Sequence, residues 1–222
     1  MTLTMELENR ELLIEGAEAF GIRLIEKQVG AFDLYLRELL KWNQKINLTA
    51  IRSEKGIVLK HFLDSLSVTP YLSKTASLLD IGSGAGFPGI PLKIVQPSLE
   101  ITLIDSVRKK VDFQRHIIRM LGLKQIEAIH GRIQEKEIHQ SLAGRFDAVI
   151  SRAFSDLQTL LLLAFPVLRK GGMLFAMKGE LEREGTGLFP KGKETQYRLK
   201  RTTSFLLPGS SFKRSILLFE KG

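Results

Sequence analysis

From Leu78 to Leu92 the chain runs from an apolar segment ending in an acid, Leu78-Leu79-Asp80-Ile81, through Gly82-Ser83-Gly84-Ala85-Gly86, into Phe87-Pro88-Gly89-Ile90-Pro91-Leu92. This order calls for a buried strand, a sharp turn and the start of a helix. Glycines at 82, 84 and 86 lack the Cβ that would block both a tight turn and the approach of bare backbone to a ligand. The next apolar run, Glu100-Ile101-Thr102-Leu103-Ile104-Asp105, ends in a second carboxylate. That acid stands about 20 residues on, where the group that grips ribose hydroxyls belongs in an open α/β sheet.

Two fingerprints overlap in the loop. From Gly84 to Gly89 it matches the dinucleotide pattern G-x-G-x-x-G, and from Asp80 it matches D-x-G-x-G, the loop that holds S-adenosylmethionine (AdoMet). A pyrophosphate needs donors and a helix N-terminus aimed at anionic oxygens, whereas AdoMet carries an ammonium, a carboxylate and a sulfonium. Asp80 would repel a phosphate and suits a cationic ligand. The pair Asp80 and Asp105 therefore favours AdoMet.

The chain has 222 residues, enough for one good core or a core with a small helical extension. It contains no cysteine, which removes disulfides, zinc–thiolate sites, cysteine nucleophiles and methyl transfer to pyrimidine C5 through a thiolate adduct. No metal is expected. The apolar run 160–168 is too short for a membrane span and is interrupted by Pro166. The N-terminus lacks a basic leader, so a cytoplasmic protein away from membranes is expected. The net charge of +9 is unevenly spread. Residues 1–77 hold ten basic and ten acidic side chains, 78–177 hold thirteen and nine, and 178–222 hold ten and five. An excess confined to the cofactor part and the tail suits a polyanionic partner such as RNA.

Residues 6–20 and 24–43 read as amphipathic helices, and a third starts near Ser53 and includes Leu66. Residues 1–76 thus form an N-terminal helical extension and 77–222 a Rossmann-like domain. Strands are expected near 77–81, 100–105, 125–130, 146–151 and 171–177, with helices near 88–96, 107–121 and 155–168. Two β-rich runs, 196–207 and 213–220, flank the turn signal Pro208-Gly209-Ser210-Ser211. A mainly parallel seven-stranded sheet closed by a terminal antiparallel hairpin is the class I methyltransferase topology. No symmetric interface is apparent, so a monomer is expected.

Ligands in such sheets bind beyond the carboxyl ends of the strands. The cofactor-binding candidates are Asp80, Gly82, Gly84, Gly86, Phe87, Asp105, Ile133, Gln134 and Arg152. Ile133 and Gln134 either flank an adenine or begin a helix, and Phe87 either lines the methionine end or packs in the core. Arg152 and Lys178, at the ends of the fourth and fifth strands, are the catalytic candidates, and Asn47, His61, Arg132 and Lys178 are the substrate-side candidates. Exocyclic-amine methyltransferases place Asp/Asn-Pro-Pro-Tyr/Phe after the fourth strand to accept the amine protons. This chain has Ser151-Arg152-Ala153-Phe154 there. A target with a free lone pair and no proton to lose, such as N7 of guanine, needs no such base. Alignment alone can then supply roughly 7–11 kcal/mol of the barrier lowering. Arg152 fits a donor to guanine O6 or to a phosphate, or a surface ion pair.

The residues resemble one family over nearly the whole chain: the bacterial 16S ribosomal RNA guanine-N7 methyltransferases RsmG, also called GidB. The resemblance rests on Lys41-Trp42-Asn43 with Ile46-Asn47-Leu48-Thr49, on His61-Phe62-Leu63-Asp64-Ser65, and on Asp80 to Leu92 with its prolines Pro88 and Pro91. It continues through Leu103-Ile104-Asp105-Ser106, Phe146-Asp147, Val149-Ile150-Ser151-Arg152-Ala153 and Lys178-Gly179. It implies methylation of a guanine in the decoding-region loop of 16S ribosomal RNA, with that RNA or the small ribosomal subunit as partner. It also implies that Gly82, Phe87, Ile133, Gln134 and Arg152 touch AdoMet, and it adds a substrate-side role for Asn47 and His61 beside the reading of His61 as a structural histidine. From the residues alone, an NAD(P)-binding oxidoreductase and a non-catalytic RNA-binding protein of the same fold stay open.

Overall fold

Seven strands form one sheet in the computed structural model, which describes residues 4–73, 76–152, 156–180 and 196–222. They are β1 (Ser77–Ile81), β2 (Glu100–Asp105), β3 (Ile126–His130), β4 (Phe146–Ser151), β5 (Leu168–Lys178), β6 (Tyr197–Leu206) and β7 (Lys213–Lys221). Their order is β3-β2-β1-β4-β5-β7-β6. The first five are parallel, and β7 runs antiparallel between β5 and β6. The expected hairpin is therefore present, with β7 rather than β6 against the parallel part.

The central strands are buried along nearly their whole length on both faces, and successive side chains enter opposite apolar clusters. Leu78, Ile101, Leu103, Ile150 and Phe175 belong to one apolar cluster, and Leu79, Ile81, Ile104, Val149 and Leu174 to the other. The helices on the first face are α1 (Leu7–Glu18), α2 (Glu26–Asn43), the stretch that follows, α5 (Gly89–Val95) and α6 (Arg108–Met120). The second face packs on Leu142 of α7 (Lys136–Leu142) and on Leu160, Leu161 and Ala164 of α8 (Leu157–Ala164). One apolar cluster joins Leu13, Phe32, Tyr35 and Leu36 of the N-terminal helices to Leu78, Phe87 and Ile90 beyond residue 76.

The third expected helix is three linked pieces. Ser53 caps α3 (Glu54–Ile57) by accepting a bond from the Gly56 amide (3.2 Å). The chain then widens into π-helical turns over Val58–Leu63 before α4 (Asp64–Leu66). Such wide turns occur preferentially at functional sites, and here they carry His61. Two boundaries differ from the sequence expectation. β5 starts three residues early, at Leu168, and α8 spans only Leu157–Ala164. The sequence offers α7 only as the alternative in which Ile133 and Gln134 begin a helix; it starts at Lys136, and its seven residues bury only Leu142.

Candidate active site

The chain order of the strands reverses beside β1, and the glycine loop lies just beyond its end. Gly82, Gly84 and Gly86 have φ of +72°, +59° and +101°, a region costly for any residue with a Cβ. Three groups from outside hold the loop. The Tyr35 hydroxyl of α2 donates to the Ala85 carbonyl (2.6 Å). Gln114 of α6 donates through Nε2 to the Gly84 carbonyl (2.7 Å) and the Ser83 hydroxyl (2.9 Å). The Asp105 carboxylate accepts from the Gly84 amide (2.8 Å) with one oxygen and from the Val107 amide (2.8 Å) with the other.

Asp80 is fully buried beneath the loop. Its Oδ2 accepts from the Gly89 amide at the start of α5 (2.9 Å), while Oδ1 has no partner among the described residues. Burial pushes its pKa up to about 7, more than the Gly89 bond and the Arg152 charge pull it down.

A cleft of about 240 Å³ opens beside the loop, lined by Gly82, Asp105, Ser106, Arg132, Ile133 and Gln134 among others. A Cβ built on Gly82 or Gly84 meets nothing within 4 Å, so these two residues lie against open space. Ile133 is buried and Gln134 exposed, and both sit in the turn before α7 rather than inside it. The structure thus brings Asp80, Gly82, Gly84, Asp105, Arg132, Ile133 and Gln134 around one end of the sheet.

The other cofactor candidates belong to an aromatic and charged cluster beside the loop. Phe87 is buried and stacks on Tyr35 (5.2 Å between centroids) and His61 (4.4 Å, 11° between planes). The Arg152 guanidinium lies 5.2 Å from the same ring. Its Nη1 donates to the Lys60 carbonyl (2.8 Å) and to Asp64 (3.3 Å), and its Nη2 to His61 Nδ1 (2.9 Å). Asp64 is buried between two arginines, with Arg214 Nε of β7 donating to its Oδ1 (2.9 Å). Burial pushes the His61 pKa down to about 3, and the Arg152 charge pushes the same way. The ring is therefore neutral near neutral pH.

Arg152 is accordingly a clamp on three groups of the helical stretch before the sheet, not an isolated surface pair. Lys178 lies half-buried at the end of β5, its pKa lowered by burial. Asn47 is exposed on the loop after α2, two residues before Thr49, and no hydrogen bond between described residues links it to His61 or Arg152. Ala153 and Phe154 lie outside the described residues.

Four contributors escaped the sequence reading as site residues: Tyr35, Asp64, Gln114 and Arg214. Gln114 carried a usable signal, a polar residue on the same helical stripe as Val111 and Ile117. Arg214 carried none, because only the β5–β7 pairing brings it to Asp64, 150 positions away in sequence.

The site can be tested against a cofactor. An unpartnered carboxylate oxygen under a glycine loop, a second acid at the next strand end and an open, partly apolar cleft supply the acceptors and the space for a ligand with an ammonium and a ribose. A pyrophosphate finds no place above Asp80. Together with an antiparallel β7 beside five parallel strands, this defines a class I methyltransferase that uses S-adenosylmethionine.

Solved structures share the shape. One is TYW2 of Pyrococcus horikoshii in complex with MeSAdo (TM-score 0.58, 9% identity, 72% of this chain and 62% of that one). Another is a SAM dependent methyltransferase from Aquifex aeolicus (TM-score 0.54, 16% identity, 74% and 92%). Residues 28–206 match the GidB family, described as rRNA small subunit methyltransferase G. The chain is 44% identical to the Ribosomal RNA small subunit methyltransferase G of Geobacter metallireducens (96% of this chain, 97% of that protein) and 40% identical to that of Acetivibrio thermocellus (97% and 90%). The chain belongs to the rRNA small subunit methyltransferase G family.

Proposed function

We propose that this enzyme methylates N7 of one guanine in the decoding-region loop of 16S ribosomal RNA, acting on the RNA or on the small subunit. The observation that carries the reading is that Ser151, His61 and Asp64, around the fourth strand's end, are committed to partners within the protein. The Ser151 hydroxyl, where amine methyltransferases place their proton acceptor, donates to the Ile81 carbonyl (2.8 Å). His61 Nδ1 is filled by Arg152, and Asp64 lies between two guanidiniums. A target that loses no proton suits such a site, and guanine N7 is one.

When bound, S-adenosylmethionine supplies an electrophilic methyl group. The chain's own residues supply binding and alignment. Asp80 and the glycine loop hold the amino-acid end, Asp105 meets the ribose, and Ile133 with Gln134 borders the adenine. Arg152 acts by locking Phe87, His61 and the stretch 60–64 into one wall, and so positions the reacting groups rather than exchanging a proton. Arg132, Lys178 and Asn47 face the RNA side. One chain holds all these residues, so a monomer suffices, and a ribosomal substrate places the reaction in the cytoplasm.

Mapping 7-methylguanosine in 16S ribosomal RNA from cells with and without this protein tests the reading. One methylated guanine should disappear with the protein and return with wild type, but not with Asp80→Ala. An unchanged map sinks the proposal.

A further inference from the structure

The loop between α2 and α3 holds a hydroxyl whose direction is fixed by elimination. Asn43 ties the backbone of Thr49 in place, donating to its carbonyl (2.9 Å) and accepting from its amide (3.1 Å). The Thr49 hydroxyl oxygen lies 2.7 Å from His61 Nε2 and accepts from the Ile51 amide (3.1 Å). Arginine can only donate, so the Arg152 bond makes His61 Nδ1 the acceptor. The neutral ring must then carry its proton on Nε2 and donate it to Thr49. Both lone pairs of the Thr49 oxygen are thereby filled by obligate donors. Its own hydrogen has no acceptor among the described residues, and the side chain is half-buried beside the ring that stacks on Phe87.

We infer that Thr49 is a one-way donor that reads the O6 carbonyl of the target guanine and so rejects adenine. This rests on the guanine reading above. Guanine presents two adjacent acceptors, O6 and N7, on one edge, whereas adenine has an amino donor at the position of O6. A free hydroxyl rotates to accept from an amino group, but this one has no lone pair left to offer. A purine held through O6 keeps N7 open, which is the orientation that methylation requires. Arg152 and His61 act here through Thr49 and are positioning residues.

The test compares wild type, Thr49→Val and Thr49→Ser on small subunits reconstituted with guanine or with 2-aminopurine, which lacks O6, at the target position. Wild type should favour guanine in kcat/KM by roughly ten- to a hundred-fold, the effect of leaving a committed donor unpaired. Thr49→Val should bring that ratio towards one, while Thr49→Ser keeps it. The affinity for S-adenosylhomocysteine without RNA should not change in either variant. A guanine preference unchanged in Thr49→Val overturns the proposal. Cofactor affinity that falls in step with activity also overturns it, because the hydroxyl would then serve the cofactor. Failure of wild type to modify the guanine particle would instead remove the underlying reading, and this inference with it.

Discussion

Asp80 and His61 are both buried and titrate with opposite consequences. Between 3.8, its ordinary value, and about 7, native Asp80 holds a proton that the unfolded chain has released. Its contribution is fully present below 3.8 and is lost as pH rises towards 7. Between about 3 and 6.5 the unfolded histidine holds a proton that the native His61 ring refuses. Its contribution is present above 6.5 and is lost as pH falls. Each slope is about 1.4 kcal/mol per pH unit, so the two oppose one another across the range they share. Relative to wild type, Asp80→Asn should therefore gain stability at about that rate from pH 4 to 7. Urea unfolding at several pH values reads this directly, and parallel profiles would show that Asp80 is ionised in the native state.

At the scale of elements, the glycine loop owes its shape to α2 and α6 as much as to its own residues. A Cβ on Gly86 would meet Ile90 at 2.4 Å and the Tyr35 hydroxyl at 2.9 Å, whereas one on Gly82 would project into open space. Both residues are left-handed, so Gly82→Ala should cost about 1–2 kcal/mol for the backbone alone, and Gly86→Ala more because it also clashes. Gly82 lines the cleft, so Gly82→Ala should nevertheless weaken S-adenosylhomocysteine binding by more than its stability loss suggests. Urea midpoints and calorimetry separate the two effects, and equal losses at both positions would contradict this account. The loop and its flanking acids were legible because glycines at strand ends carry their reason locally. The alternation of strands and helices was legible for the same reason. The Arg152 clamp was not, since its partners Lys60, His61 and Asp64 lie about 90 positions away in one short stretch, and the second arginine on Asp64, Arg214, comes from β7. Charge type says nothing about which arginine a buried carboxylate will choose.

Across the whole molecule, the cations divide into committed and uncommitted sets. In the hairpin, Lys200 pairs with Glu220, Lys213 with Glu180 and Arg214 with Asp64, while Arg201 lies over Tyr71. Arg108, Lys109 and Lys110 occupy the first turn of α6, two residues past cleft-lining Ser106, with no acid in that turn and no ion pair among the described residues. Cations at a helix N-terminus oppose its dipole, which favours an anionic partner there. Replacing all three with alanine should stabilise the fold by about 0.3–1 kcal/mol each. The same change should flatten the salt dependence of RNA binding by a log–log slope of about 0.7 per lost phosphate contact. Thermal melts and filter binding across salt concentrations check both, and an unchanged slope would move the RNA track elsewhere. The insertion of β7 between β5 and β6 bears on how the protein is made. A polypeptide interrupted before Lys213 already possesses the glycine loop, Asp80 and Asp105, yet it leaves β5 with a raw edge and Asp64 with a single arginine. Such a shortened chain would present an uncovered strand edge that other chains can pair with.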